Sequence, residues 1–144
     1  MCSDSNIIGR IRGLSFLGSF FGVFISTLIS DNSSRKKTYL LVVFAHLLGH
    51  CMMILSQSIY MAGLGLFILG LGQMSITKMN AVILSEITEK SLKEKFLASY
   101  LVSHALGVFT IGYIHSVFNN WRPTTLYFEV LPNLFLLILC YFLL

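Results

Sequence analysis

Long uncharged stretches, separated by short clusters of charge, set the pattern of this chain of 144 residues. A helix needs about 20 mostly apolar residues to cross the hydrocarbon core of a bilayer. Residues 13–30 and 96–121 contain no charged side chain, and residues 123–144 contain only Glu129. Each of these stretches is therefore long enough to predict one transmembrane helix.

Residues 38–85 contain only Lys78 as a charged residue and are too many for a single crossing. The polar residues 56–58 divide this stretch into two, and the apolar runs are continuous rather than alternating, which favours helices over a barrel. The pattern predicts an all-α membrane protein in which a short polar segment, residues 1–12, precedes five transmembrane helices. We expect these helices at residues 13–30, 38–56, 59–84, 96–118 and 123–144.

The composition supports a membrane protein and excludes a soluble one. Hydrophobic residues make up 56% of the chain, charged residues only 11%, and the mean hydropathy is +0.80. A soluble domain has about 25% charged residues, because its surface must be hydrated. A soluble enzyme, a nucleic-acid-binding domain and a disordered tail are therefore excluded, and the net charge of +4 is too dispersed to bind nucleic acid.

The distribution of basic residues predicts the orientation of the helices, since cytoplasmic loops are enriched in Lys and Arg. The loops at residues 31–37 and 86–95 hold six of these residues, and the opposite side holds three. We therefore expect both loops in the cytoplasm, the N-terminus outside and the C-terminus inside. The six are Arg35, Lys36, Lys37, Lys90, Lys93 and Lys95, and the three are Arg10, Arg12 and Arg122.

The first basic loop carries a motif that extends from the helix before it. The motif reads Ser26-Thr27-Leu28-Ile29-Ser30-Asp31-Asn32-Ser33-Ser34-Arg35-Lys36-Lys37. It resembles the loop between the second and third helices of major facilitator superfamily transporters, G-x-L-x-x-D-R-x-G-R-K-K. The positions that match are Leu28, Asp31, Arg35 and Lys36, while Ser26, Asn32 and Ser34 replace a Gly, an Arg and a Gly. Asp31 and Arg35 are four residues apart and could pair if the helix continued through the loop. An ordinary basic cytoplasmic loop is the alternative interpretation.

Two further motifs follow in the order of the same family. Residues 65–72, Gly-Leu-Phe-Ile-Leu-Gly-Leu-Gly, resemble the fourth-helix pattern G-R-x-x-x-G-x-G, with Leu66 in the place of the arginine. Residues 84–93 resemble the next loop, S-E-x-x-P-x-x-x-R-G, in which Glu86 matches and Lys93 stands for the arginine. Glu89 and Glu94 replace the Pro and the Gly of that pattern.

A fourth motif lies in the last predicted helix, where Trp121, Arg122 and Pro132 resemble the W-R pair and the mid-helix proline of the family's sixth helix. The four motifs cover residues 18–144 and are most similar to sugar porters and organic cation transporters. The resemblance implies that the five helices correspond to helices two to six of a twelve-helix transporter. The chain is then expected to be an incomplete N-terminal half that does not transport by itself.

The function that the resemblance implies is secondary transport of a small organic solute, a sugar or an organic ion, by alternating access. The expected partners are the lipid bilayer, the solute and a missing second half, with neither nucleic acid nor a cofactor. A degenerate, non-transporting member with a structural or regulatory role is the alternative, favoured by departures such as Leu66 and Asn32. An enzyme is not expected, because the sequence contains no catalytic set.

The fourth helix of the family lines the central cavity, so the resemblance assigns candidate substrate contacts to the third predicted helix. These candidates are Gln73, Ser75, Thr77 and Lys78. Lys78 has a second interpretation, because it lies near the cytoplasmic end of its helix and its ammonium could reach the membrane interface.

Two stripes of small residues recur at helical spacing and would allow close approach of helix backbones in lipid. The first predicted helix carries Gly18, Gly22 and Ser26, and the fourth carries Ser99, Ser103 and Gly107. In the family these two helices face the other half of the transporter and slide against it. Static packing within one bundle is the alternative.

Ionisable groups at membrane depth are functional candidates. Lys78 and Glu129 lie in opposite halves of the bilayer and are not expected to pair. Glu129 lies at the level of His50 and near that of His115, either of which could donate a hydrogen bond to it; both a proton relay and a protonated Glu129 remain open. His46 and His50 have the spacing of a metal pair, but no third ligand follows in sequence, so we predict no metal site.

We predict that both basic loops are inaccessible from outside the cell. The variants Ser33→Cys and Ser91→Cys, each in a background without other cysteines, should resist a membrane-impermeant thiol reagent in intact cells and react after permeabilisation, because the six basic residues hold the loops inside. Labelling of intact cells, or a glycan on Asn32 of the Asn-Ser-Ser acceptor, would contradict this orientation.

Overall fold

The computed structural model describes residues 5–118 and 120–143. These residues form helices joined by short connections, which confirms the predicted all-α class. The helices are α1 (Ser5–Asn32), α2 (Arg35–Leu55), α3 (Ile59–Ile87), α4 (Lys93–Val117), α5 (Trp121–Thr125) and α6 (Leu131–Leu143). A π-helical turn (Leu126–Val130) joins α5 to α6 without a break, and residues 121–143 together are called the C-terminal helix.

Among the described residues, four helices are long and apolar enough to cross a membrane, namely α2, α3, α4 and residues 9–32 of α1. The last predicted span, residues 123–144, overlaps the C-terminal helix, which starts two residues earlier, and Leu144 lies outside the described residues. Its regular hydrogen bonding is interrupted by the π-helical turn, a feature that the sequence pattern did not predict.

The first helix begins earlier than the sequence pattern predicts. Residues 1–12 were expected to form a short polar segment, but α1 is helical from Ser5 onward, and residues 1–4 lie outside the described part of the chain. Arginine is a good helix former, so Arg10 and Arg12 mark an expected membrane boundary without ending the helix. Charge locates the edge of the apolar stretch, whereas helix formation follows backbone propensity.

Serine side chains fix the starts of the two central helices. Ser34 precedes α2 in an extended conformation and accepts a hydrogen bond from the backbone N–H of Lys37. Ser58 does the same for α3, accepting from the N–H of Met61 at 3.2 Å. Such caps satisfy N–H groups that the first helical turn leaves without a partner. The polar break predicted at residues 56–58 therefore becomes a turn between antiparallel helices.

Helix α3 lies at the centre of the bundle, with α1 on one side and α2 on the other. Glycines make both approaches possible. A Cβ atom on Gly22 of α1 would lie 2.7 Å from Cα of Leu71, and one on Gly72 of α3 would lie 2.6 Å from the backbone nitrogen of His46 on α2. Real Cβ atoms do not approach other atoms this closely, so the helix backbones are in direct contact.

The small stripe of α1 faces α3. Gly18 and Gly22 lie against the backbone of α3, and Ser26 is buried with its hydroxyl donating to the carbonyl of Val23. The interface also uses Gly70 of α3, where a Cβ would overlap the backbone of α1 at Ser15. In this structure the α1 stripe is part of packing within the bundle, which was the alternative to a sliding surface.

Helix α4 is much less embedded than the other long helices. The structure describes all of its residues, and none of them is buried. The stripe residues Ser99, Ser103 and Gly107 are exposed, and a Cβ on Gly107 would have no atom within 4 Å. A hydrogen bond of 3.4 Å links the hydroxyl of Tyr100 to the carbonyl of Thr77 on α3. The two stripes thus have different surroundings in spite of their similar sequence pattern.

We predict that Gly22→Ala destabilises the bundle by about 1–3 kcal/mol, because the added methyl group overlaps the backbone of α3 and forces α1 outward. The measurement is the thermal unfolding midpoint of the purified protein in lipid nanodiscs.

Gly107→Ala on α4 is the matched control. The new methyl group meets open space, and alanine favours a helix over glycine by about 0.5–1 kcal/mol, so the midpoint should stay the same or rise. Equal midpoints for the wild type and Gly22→Ala would contradict direct contact between α1 and α3.

Candidate functional site

A polar cleft lies between α2, α3, α4 and the C-terminal helix. It has two adjoining parts of about 310 and 420 Å³. Both parts are lined by His46 of α2, Gln73 of α3, Val108 and Ile111 of α4, and Asn133 of α6. The first part also contains His50 and Glu129, and the second also contains Thr77, Asn80, Tyr100, Ser103 and His104.

The candidate substrate contacts on α3 separate into two faces of the helix. Gln73 and Thr77 line the cleft, as their spacing of four residues requires. Ser75 is fully buried and donates to the carbonyl of Leu71 at 2.7 Å, on the side of α3 that meets α1. The sequence could not distinguish the two faces, because α3 is apolar nearly all round and both faces carry polar residues.

Lys78 also faces α1 rather than the cleft. Its ammonium hydrogen-bonds the hydroxyl of Thr27, which in turn donates to the carbonyl of Val23 at 2.6 Å. The structure therefore corrects the expectation that Lys78 is a substrate contact, since it is not among the residues that line the cleft. As expected, Lys78 does not pair with Glu129.

The strongest polar contacts of the cleft converge on Glu129. Nε2 of His50 on α2 lies 2.5 Å from one carboxylate oxygen, Oε2, and Nε2 of His115 on α4 lies 3.0 Å from the other, Oε1. The side chains of His50 and Glu129 are only 6% and 18% exposed. The sequence indicated that either histidine could donate a hydrogen bond to Glu129, and in the structure both histidines contact the carboxylate. One side chain thereby connects three helices.

The π-helical turn places Glu129 in this position. Pro132 has no backbone N–H, and its ring crowds the carbonyl four residues earlier, which disfavours a regular α-helix here. The side-chain amide of Asn133 donates to the carbonyl of Glu129 at 2.8 Å and links the turn to the first residues of α6. π-Helical turns of this kind often occur at functional sites.

The rings of His46 and His50 meet edge to face. Their ring centroids are 4.5 Å apart with the planes nearly perpendicular, and Nδ1 of His46 lies 3.4 Å from the carbonyl of Leu69 on α3. Among the described residues, no group of three or more His, Cys, Asp and Glu side chains could hold a metal ion. The histidines instead link α2 to its neighbours.

Sequence reasoning did not single out several cleft residues. Tyr100, His104 and Asn133 are polar side chains inside apolar runs, each four residues from another polar residue. Tyr100 and His104 form such a pair on α4, and Asn133 lies four residues after Glu129, which the sequence did indicate. This spacing places both members of a pair on one helix face. The signal was present in the sequence, and Asn80, three residues after Thr77, belongs to the same pattern.

The two basic loops meet at one end of the bundle. The guanidinium of Arg35 forms an ion pair of 2.6 Å with Glu86 of the second loop, and each side chain is about half exposed. A pair between Asp31 and Arg35 required a helix that continued through the loop, and this condition is not met, because α1 ends at Asn32 and α2 starts at Arg35. Asp31 and Lys93 are exposed.

The C-terminal helix is tied to α2 at both ends. The ammonium of Lys36, at the same end as the Arg35–Glu86 pair, donates to the carbonyl of Tyr141 at 3.4 Å. At the opposite end the guanidinium of Arg122 donates to the carbonyl of Ser56 at 2.8 Å. These two contacts hold the helix that carries Glu129 alongside α2.

We predict that reversing the charge of Arg35 lowers the stability slightly, and that reversing the charge of Glu86 as well restores it. Arg35→Glu alone places two carboxylates together and should lower the free energy of unfolding by up to about 1 kcal/mol, as is usual for exposed pairs. The double variant Arg35→Glu/Glu86→Arg should regain most of that loss, measured by thermal unfolding at low salt. Equal stability of the single and double variants would contradict the pair.

A family model described as "Sugar (and other) transporter" matches residues 2–143. The match includes all the helices and all the residues that line the cleft. Searches of curated proteins and of solved structures found no match to the chain.

Proposed function

Because the chain belongs to the sugar (and other) transporter family, we propose that the polar cleft binds a small organic solute during its transport across the membrane. The resemblance to sugar porters of the major facilitator superfamily is confirmed by the family match. The chain is an integral, multi-pass membrane protein, and its family is one of transporters rather than enzymes.

The observation that supports this proposal is the concentration of polar side chains in one cleft between apolar helices. Burying polar groups at membrane depth is costly, so they occur mostly where they face a cavity or a partner. Gln73 and Asn133 contribute amides that can both donate and accept hydrogen bonds, and both line the two parts of the cleft. Solute sites in transporters lie near the bilayer midplane between helices.

The cleft favours an uncharged hydroxylated solute, such as a sugar, over an organic cation. Amide and imidazole groups suit hydroxyl groups, which both donate and accept. Glu129 is the acidic residue among the described residues of the cleft, and imidazoles occupy both of its oxygens. A cation would have to displace one of them to reach the carboxylate.

We further propose that the protein exposes the cleft to each side of the membrane in turn, by alternating access, and that a second group of helices completes the cleft. Ser103 and Gly107 line the cleft on α4 and are exposed, so this wall is open to another group of helices. The small stripe of α4 would then be the sliding surface, while the stripe of α1 holds the bundle together. Asp31, Lys36 and Lys93 would act at the cytoplasmic surface as anchors or as contacts to that second half.

The alternative is a structural or regulatory membrane protein that binds no solute. It is supported by the absence of the motif arginine at Leu66, whose side chain is half-buried and apolar. Solute binding separates the two, because a structural role needs no occupied cleft.

We predict that Gln73→Leu weakens binding of radiolabelled D-glucose to the protein in nanodiscs. Loss of the amide leaves solute hydroxyl groups without a partner, a cost of about 1–3 kcal/mol, which corresponds to about 5- to 150-fold in Kd. Tetraethylammonium is the comparison ligand and should bind more weakly than glucose.

Met74→Leu is the matched control, because Met74 neighbours Gln73 but is an exposed apolar residue. It should leave glucose binding unchanged. Absence of binding of either ligand to the wild type would favour the structural alternative, and stronger binding of tetraethylammonium would overturn the preference for an uncharged solute.

A further inference from the structure

The two ring nitrogens of His50 both face hydrogen-bond acceptors. Nδ1 lies 3.1 Å from the backbone carbonyl oxygen of His46, and Nε2 lies 2.5 Å from Oε2 of Glu129. A carbonyl oxygen can only accept, and an ionised carboxylate can only accept. A neutral imidazole carries one N–H and can therefore satisfy only one of the two.

We infer that His50 and Glu129 together hold one additional proton, and that this pair is a proton-binding site in the wall of the cleft. The proton lies either on Nε2, as an imidazolium facing a carboxylate, or on Oε2, as a carboxylic acid donating to the imidazole. Both forms make both hydrogen bonds of His50. Any effect of this proton on solute binding rests on the proposed function of the cleft.

The groups around the pair are few and come from each neighbouring helix. From α4, Nε2 of His115 lies 3.0 Å from Oε1 of Glu129, and His104 lines the adjoining part of the cleft. From α2, the ring of His46 contacts that of His50. From α3, the polar side chain of Gln73 and the apolar one of Leu69 line this part of the cleft. Lys78 of α3 faces Thr27, and Arg122 of the C-terminal helix binds the carbonyl of Ser56.

Loss of the proton would leave His50 with a single N–H for two acceptors. If Nδ1–H donates to the carbonyl of His46, the lone pair of Nε2 faces a carboxylate oxygen, and if Nε2–H donates to the carboxylate, the lone pair of Nδ1 faces that carbonyl. The proton passes from Nε2 or Oε2 to solvent entering the cleft and returns by the same route, and no other bond is formed or broken than these hydrogen bonds. Proton occupancy therefore decides whether His50 makes both hydrogen bonds at once or gives up one of them.

The first test counts the protons bound to His50 and Glu129 in the absence of solute. The wild type, labelled with nitrogen-15 at histidine and reconstituted in nanodiscs, is studied by NMR at neutral pH, with infrared spectroscopy of the carboxyl group. His50→Gln identifies the His50 signals. We expect either two protonated nitrogens on His50, or one together with a protonated carboxyl band that Glu129→Gln removes.

Glu129→Gln should lower the count by about one proton per chain, since the amide can donate to Nε2 and leave His50 neutral. The exposed ring of His104, near Tyr100, should show the same signals in the wild type and in Glu129→Gln. A wild-type His50 with one protonated nitrogen next to an ionised Glu129 would overturn the inference.

The second test measures glucose binding between roughly pH 5 and 8, where histidine ordinarily changes charge. Binding by the wild type and by Met74→Leu should change with pH, and Glu129→Gln should remove most of that change. If the wild type binds glucose equally at every pH, the link between proton and solute fails. If it binds none at any pH, the proposed function fails, while the proton count of the first test stands by itself.

Discussion

Direct contact between helix backbones along α3 determines how the rest of this bundle is arranged. Lipid supplies no hydrophobic force between helices, so association depends on close packing and on hydrogen bonds. Gly22 and Gly72 remove the side chains that would separate α3 from α1 and α2. Once both neighbours are in place, the rotation of α3 about its own axis is fixed. Gln73 and Thr77 then face the cleft, and Ser75 and Lys78 face α1.

The sequence predicted an all-α membrane protein, and four of its five predicted spans correspond to described helices that are long and apolar enough to cross a membrane, because charge marks the edges of the hydrocarbon layer. It also predicted that Glu129 would meet His50 or His115, because depth follows from residue counting along helices. It could not predict which face of α3 meets which neighbour, since that depends on packing among three helices. The sequence pattern also did not predict the π-helical turn at Glu129 or the end of α1 at Asn32, because both depend on local backbone conformation.

The cleft shows how one irregular turn can serve a binding site. A regular α-helix satisfies its own backbone, whereas Pro132 has no N–H to donate, and the side-chain amide of Asn133 bonds the carbonyl of Glu129 next to it. In return, the carboxylate reaches two histidines on separate helices. Polar groups of the cleft thus hydrogen-bond one another across α2, α4 and the C-terminal helix. None of these helices could satisfy its polar residues alone.

The weak packing of α4 against the other helices affects its local stability. Elements with few buried contacts open at a small fraction of the global free energy of unfolding, and their amide hydrogens exchange first. Helix α4 has no buried residue along its described length, whereas α1, α2 and α3 interlock. We therefore expect α1, α2 and α3 to unfold as one cooperative unit, and α4 to separate from them more easily, carrying a wall of the cleft with it.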